Sequence, residues 1–448
     1  MQSGMHSDGK HSTQDLEGGE HGAREPAARQ QRARPRGRGD HGARQPGRGQ
    51  RGPGEHRRGE QGRGEQGREE LRRAEPAPAE AWTGTRSPAA DGAARDEPVP
   101  HRGSPRGLIA VDAMGGDHAP AEIVAGAVSA ARDSGLRVLL TGRPGLLRPL
   151  LARHGGPADV RIVPAEDAVA MDEGALASWR RPRSSIAVAC QLVRRGQADA
   201  VVSAGSTGGV VSTARLRLRP LPGVLRPALA VVLPTRPEPT LLLDAGAIAD
   251  PKPEMLVQFA HLGVAYAQTA HGISEPRVGL LTIGAEPGKG NKLARRAHEL
   301  LDADPPHGGL PISFAGNIEG GDLLTGKVDV VVTDGFTGNV ALKTLEGTAA
   351  FAATQLREAL AGSRTARIGT LFQRRGLGDL HSRMDAETYG GAALLGLEGT
   401  VVIAHGAARA RGVAAACLLA ADLARGQIAE KIKERLGPAR GGHFLRRT

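Results

Sequence analysis

Four short stretches of this sequence set glycine beside polar side chains in a way that suits the handling of an anion. The first is Asp112-Ala-Met-Gly-Gly-Asp-His118. Gly115 and Gly116 let the backbone approach a ligand closely, and a helix starting just after them would turn unpaired N–H groups and a positive dipole end toward it. The same residues also make a tight turn in which Asp117 caps the helix and His118 bonds locally. The second stretch, Ser203-Ala-Gly-Ser-Thr-Gly-Gly209, puts Ser206 and Thr207 at a helix entry. It has neither the Gly-Lys-Ser/Thr ending of a nucleotide-phosphate loop nor the spaced glycines of a dinucleotide site.

In the third, Ile283-Gly-Ala-Glu-Pro-Gly-Lys-Gly-Asn291, Lys289 stands between two glycines and Asn291 precedes a helix. An ammonium held there can meet a phosphate or a developing oxyanion, or can be a solvated loop lysine. The fourth, Val332-Thr-Asp-Gly-Phe-Thr-Gly-Asn339, ends a strand on Asp334, exposes Thr337 beside Gly338, and opens a long helix with Asn339 as its cap. Capping is compatible with touching a substrate. Each stretch is weak alone, but four strand-to-helix turns of one kind point to a single crevice.

Those turns need a scaffold, and the apolar runs supply it. Candidate strands fall at 108–112, 137–141, 160–163, 199–203, 228–233, 240–244, 277–283, 311–315, 328–333 and 400–404, mostly continuous apolar runs rather than alternating ones. Candidate helices lie near 119–133, 144–153, 185–196, 253–271, 291–303, 339–361 and 406–436. Such βαβα order predicts an α/β fold: a mainly parallel sheet in a three-layer α/β/α sandwich, with ligands at the carboxyl ends of the strands. Two segments break the rhythm. Residues 171–184 are Arg-rich, and 362–388 carry Ile368, Leu371 and Phe372 at helical spacing among arginines, as in a short amphipathic element that packs on a second copy or touches a membrane.

Residues 1–106 belong to another class. They hold six residues of the set Leu, Ile, Val, Met, Phe, Trp, Tyr and Cys, too few to offset about 1–2 kcal/mol of backbone entropy per residue. We expect a disordered Arg/Gly-rich extension over 1–106 and one large α/β domain, or two intimately joined lobes, over 107–448. The folded part keeps 39 Lys and Arg against 32 Asp and Glu, a surface that would favour phosphate, anionic lipid headgroups, nucleic acid or an acidic protein, and charge alone does not choose among them. With aromatics at 2 %, stacking platforms are scarce and no nucleic acid is expected for the core. Cys190 and Cys417 sit in apolar helical rhythms, outside any disulfide or metal spacing, which fits a reduced cytoplasm and no metal. No apolar run reaches 18 residues.

The phrases IAVDAMGGDHAP (109–120), SAGSTGG (203–209), LLLDAGA (241–247), PKPEMLVQFAHLG (251–263), VVVTDGFTGNVALKTLEG (330–347), YGGAALLGLEG (389–399) and VIAHGAA (402–408) resemble the phosphate acyltransferase (PlsX) family, in order, from about 108 to 432. The resemblance implies an isocitrate/isopropylmalate dehydrogenase-like homodimer without a cofactor. It implies transfer of a long-chain acyl group from acyl carrier protein to inorganic phosphate, giving acyl phosphate for phospholipid synthesis. A membrane glycerol-3-phosphate acyltransferase downstream and peripheral attachment to the inner face of the cell membrane are also implied.

Phosphate is itself a competent nucleophile, so the protein need only bind it, align it with the thioester and stabilise the oxyanion. The expected catalytic residues are Lys289, Asn339, Asn317 and His118. Expected binding residues are Asp112, Gly115, Gly116, Asp117, Ser206, Thr207, Asn291, Asp334, Thr337 and Gly338. Arg180, Arg181, Arg183, Arg215, Arg217 and Arg219 are candidates for a carrier-protein landing surface. This chain departs from the family in having one lysine before Gly-Asn in the Lys289 loop and Ile248 where a polar residue is usual. Competing readings are a short-chain phosphate acyltransferase, a dinucleotide-dependent dehydrogenase on a related fold, and a binding adaptor worked by the basic tail.

Overall fold

The computed structural model describes residues 107–173, 180–303, 310–361, 373, 376 and 390–437. The expected tail and nearly all of the 362–388 element lie outside them. Among the described residues the apolar runs become eleven strands of one sheet, in the order β3-β2-β1-β4-β11-β10-β5-β6-β9-β7-β8. Their ranges are β1 Leu108–Asp112, β2 Arg137–Gly142, β3 Val160–Pro164, β4 Ala200–Ser203, β5 Ala228–Leu233, β6 Thr240–Leu243, β7 Arg277–Leu281, β8 Ser313–Ile318, β9 Val330–Val332, β10 Ala392–Leu395 and β11 Thr400–Ile403.

Successive side chains of a strand point to opposite faces, and here both faces are covered. Ile109 and Val111 of β1 join one apolar cluster while Leu108 and Ala110 join another. On the first face lie α1 (Ala121–Ser134), α5 (Pro253–Ala270), α6 (Lys292–Asp302), α8 (Ala410–Arg425) and α9 (Ile428–Leu436). On the second lie α3 (Ser185–Arg194), α4 (Thr207–Leu218) and α7 (Gly335–Ala361), while α2 (Pro144–Arg153) packs beside β3. The expected three-layer α/β/α sandwich is the fold observed.

Strand direction departs from the single-crevice expectation. Seven neighbouring pairs are parallel, but β11–β10, β10–β5 and β5–β6 are antiparallel. Strands β1 to β4 and β11 therefore run one way, and β6, β7, β8 and β9 the other. The glycine turns after β1 and β4 leave one edge of the sheet; those after β6, β7 and β9 leave the opposite edge. At the crossing, Val231 and Val232 of β5 stay partly exposed although the strand is internal.

Two helix expectations also change. The run 406–436 is two helices, because Gln427 takes a left-handed φ of 53° and ends α8 before α9 starts. The helix expected at 339 begins at Gly335. Asp334 is its cap, accepting from the Thr337 N–H at 2.8 Å, so Asn339 falls in the second turn. Strand β10, short and built from Ala and Leu between glycines, was not among the expected strands.

Helix α5 approaches the sheet so closely that a methyl group on Gly263 would run into the Val330 side chain. Val330 is fully buried and β-branched, which leaves it few rotamers to take. Gly263→Ala gains about 1 kcal/mol of helix propensity but overpacks the core by about 1–3 kcal/mol. We expect a net loss of stability and a melting temperature lower by a few degrees; an unchanged or raised value in thermal denaturation would show that α5 can move off the sheet.

Candidate functional site

Where the two strand blocks meet, the described residues leave the second face of the sheet open between α4 and α7. The opening is a cavity of about 520 Å³, within the range of roughly 300–1,000 Å³ usual for small-molecule sites. Leu229, Val231 and Leu233 of β5, Ala392 of β10 and Ile403 of β11 form its apolar floor. Ser206 and Thr207 at the start of α4 and His405 after β11 supply polar groups to its wall. Helix α7 contributes Asn339, Leu342, Lys343 and Glu346, which share a face because they lie three and four residues apart. Gly246 completes the wall beside Asn339.

The first two glycine turns fit together backbone to backbone. A Cβ on Gly115 would stand 2.9 Å from the Gly205 nitrogen, and one on Gly116 would stand 2.9 Å from the Ala204 Cβ. Gly116 also has a φ of 113°, which other residues rarely adopt. Asp112 faces inward, 3 % exposed, and accepts from Ser203 Oγ at 2.7 Å and from the Met114 N–H at 3.2 Å. Burial pushes its carboxyl above the ordinary value against these hydrogen bonds. Its oxygens hold the two turns together and do not line the cavity.

Asp117 donates its N–H to the Gly406 carbonyl at 2.8 Å and so ties the first turn to the His405 loop. The cap position of α1 is Pro120, with no side-chain cap, so Asp117 does not serve there. The carbonyl of half-buried His118 accepts from the Glu122 N–H. Ser206 caps α4 through the Gly209 N–H at 3.3 Å, and exposed Thr207 follows it on the cavity wall.

The third turn stands apart. Lys289 lies between Gly288 and Gly290, with φ of 90° and 94°, and its exposed ammonium is 4.0 Å from the Glu286 carboxylate. It does not line the cavity. Asn317 is 5 % exposed with both amide atoms engaged, Oδ1 with His298 Nδ1 at 2.9 Å and Nδ2 with the Glu286 carbonyl at 2.9 Å. That carbonyl also accepts from the Lys289 N–H at 3.2 Å, so Asn317 fixes the loop that carries Lys289. Asn291 caps α6 through the Ala294 N–H at 2.8 Å. In the fourth turn the Thr337 hydroxyl donates to Asp334 at 2.8 Å, and Gly338 packs on the Asp244 carbonyl.

The cavity thus joins Ser206, Thr207 and Asn339 with His405, Lys343 and Gly246, which sequence reasoning did not single out. Helical spacing from Asn339 was the available signal for Lys343, and the end of a strand was the signal for His405. Chemically, an apolar trough with polar groups on its wall suits an elongated apolar molecule carrying a polar or anionic head. Of the arginines considered for a landing surface, Arg181 pairs with Asp167 and Glu173, each at 2.7 Å, and Arg183 with Glu166 at 3.0 Å. Arg180, Arg215 and Arg219 are exposed.

The family model described as "Fatty acid synthesis protein" matches residues 108–431. A "Phosphate acyltransferase" of Thermobifida fusca is 67 % identical over 341 residues, 76 % of this chain and 94 % of that one. The protein of that name from Gloeobacter violaceus is 44 % identical over 330 residues, 73 % and 96 % of the two chains. Among solved structures, a phosphotransacetylase from Streptococcus pyogenes matches with a TM-score of 0.48 at 18 % identity, over 71 % of this chain and 94 % of the other. A 4-hydroxythreonine-4-phosphate dehydrogenase from Klebsiella pneumoniae matches with a TM-score of 0.42 at 15 % identity, over 71 % and 99 %.

Cys190 and Cys417 are fully buried away from the cavity, and burial pushes both thiols up to about 12. A thiol needs its thiolate form to react. Iodoacetamide at neutral pH should therefore leave both unmodified in the native protein and label both after unfolding, as read by intact mass. Fast labelling of the native protein with loss of activity would restore a cysteine to the chemistry.

Proposed function

The chain belongs to the phosphate acyltransferase family, and from that premise we propose that it moves a long-chain acyl group from the thioester of acyl carrier protein to inorganic phosphate. It is an acyltransferase with phosphate as acceptor. The carrier-protein donor and the use of the product in phospholipid synthesis are the finer reading. One observation carries the long acyl chain: the central strand β5 leaves Val231 partly exposed over a cavity whose floor is otherwise Leu229, Leu233, Ala392 and Ile403. Bare apolar surface in the middle of a sheet gains about 25 cal/mol per Å² when covered, and an alkyl chain is the part of the substrate that would cover it.

A phosphate oxygen attacks the thioester carbonyl carbon and forms a C–O bond; the tetrahedral oxyanion then collapses, the C–S bond breaks, and the thiolate leaves to take a proton. The start of α4, with Ser206 and Thr207, holds the phosphate by N–H groups and hydroxyls. The Asn339 amide donates to the developing oxyanion. Lys289 leaves the sheet at the same edge as Asn339, from β7 beside β9 and opposite Ser206 and Thr207, and stays a candidate on that side from its glycine-flanked loop. His118 stays a candidate in support of the first turn, and Asn317 in support of the Lys289 loop.

The protein works as a cytoplasmic homodimer that meets an acidic carrier protein through exposed arginines such as Arg215. It touches the inner face of the cell membrane peripherally and passes acyl phosphate to a membrane glycerol-3-phosphate acyltransferase. Among the described residues no single helix is long and apolar enough to cross a membrane. The short-chain reading is separated by substrate length, since an acetyl or butyryl group leaves the β5 floor bare.

With palmitoyl-carrier protein and phosphate, the full chain should release free carrier and form an acyl phosphate that hydroxylamine traps, and omission of phosphate should abolish the release. Loss of one oxyanion donor typically costs about 10²–10³ in kcat, which we expect for Asn339→Ala. Wild-type kinetics in Asn339→Ala would remove it from the chemistry. Val231→Trp, which fills the trough from a partly exposed position, should suppress palmitoyl transfer far more than butyryl transfer; equal loss on both would place the acyl chain elsewhere.

A further inference from the structure

Asp244 lies at the carboxyl end of β6, fully buried, in a sheet whose neighbouring side chains are apolar. Its Oδ1 accepts from the N–H groups of Leu229 at 2.9 Å, Gly246 at 3.1 Å and Ala247 at 2.9 Å, and its Oδ2 from that of Ile248 at 2.8 Å. A buried carboxylate is tolerated only when such donors replace water. One of the four donors starts β5, and the other three belong to the turn 245–248. The carboxylate therefore clamps this turn to the floor of the cavity.

The start of α7 is built on that turn. The Gly335 N–H donates to the Ile248 carbonyl at 2.8 Å. A Cβ on Gly335 would stand 2.6 Å from the same carbonyl oxygen and 2.7 Å from Asp244 Oδ2. One turn further along, Gly338 packs directly on the Asp244 carbonyl. The next residue is Asn339, whose Cβ faces Gly246 across the 3.5 Å that a methyl there would leave. Backbone packed this tightly allows no intervening adjustment, so a shift of the 244–248 turn becomes a shift of Asn339.

We propose that Asp244 is a positioning residue for acyl transfer, holding the Asn339 amide at its place in the cavity wall through the turn 245–248 and the first turn of α7. This rests on the reading of Asn339 as the oxyanion donor. Asp334, which caps α7 through Thr337, fixes the helix start from within. Asp244 fixes where that start sits relative to the sheet. A displacement of about 1 Å in a reacting geometry can reduce turnover about 10²-fold, so a side chain that never meets the substrate can govern kcat.

The test is a double-mutant cycle on the full chain with palmitoyl-carrier protein and phosphate. Asp244→Asn keeps the shape but turns an amide NH₂ toward N–H donors, and its kcat should fall by about tenfold or more, with the KM for the acyl donor within about twofold of wild type. If Asp244 acts through Asn339, adding Asp244→Asn to Asn339→Ala should cost less than about twofold beyond Asn339→Ala alone. The same fractional loss in both backgrounds would overturn the proposal. Full activity of Asn339→Ala would instead defeat the reading of Asn339 and be seen as such, since Asp244 then has nothing to position. Should Asp244→Asn fail to fold, Gly246→Ala perturbs the same turn from its exposed side, where φ is 136°. The same non-additivity is expected of it, and additivity is equally fatal.

Discussion

Two blocks of parallel strands that run in opposite directions have to be joined, and in this chain β10 and β5 join them. An all-parallel sheet would bring every strand-to-helix turn to one edge and let crossover helices cover both faces without interruption. The antiparallel pairs β11–β10, β10–β5 and β5–β6 break that regularity in the middle of the sheet. Among the described residues no crossover helix spans the break on the second face, so α4 and α7 stand apart with apolar β5 between them. The cavity is the consequence of that reversal.

Each block then braces its own glycine turns with a buried carboxylate. Asp112 ends β1 and joins its turn to the one after β4; Asp244 directly follows β6 and joins its turn to β5 and to the start of α7. Both are pushed toward the neutral form by burial and held against it by hydrogen bonds, four of them from backbone N–H groups in the case of Asp244. Glycine is needed around them because backbone rather than side chain lies against backbone there. Asp112, expected in the sequence as a substrate contact, and Asp244 thus shape the wall on which Ser206, Thr207 and Asn339 stand.

Acyl transfer to phosphate asks little covalent chemistry of the protein, and the architecture agrees with a site that orients. The two cysteines are buried and their thiols stay protonated, while the polar groups on the cavity wall are hydroxyls, an amide, an imidazole and one Lys–Glu pair. Positioning of this kind relies on rigid elements, and here the elements are helix starts fixed by caps at Ser206 and Asp334.

The sequence by itself determined the family, the α/β sandwich and most of the strands, because buried strands write themselves as runs such as LIAVD and VVV and because the turn phrases are long and ordered. Of the residues marked in the sequence, the cavity brings together Ser206, Thr207 and Asn339. Burial and spatial neighbourhood were not legible. Asp112, expected to bind substrate, and Asn317, expected in catalysis, are engaged by other groups of the protein, Lys289 stands off the cavity, and His405, Lys343 and Asp244 were marked only within longer phrases. Local pattern reports the period of an element and the chemistry of its side chains. Only the tertiary structure decides strand direction across a sheet, because pairing partners such as Ala392 and Val231 lie far apart in the chain, and that direction determined which turns share the cavity.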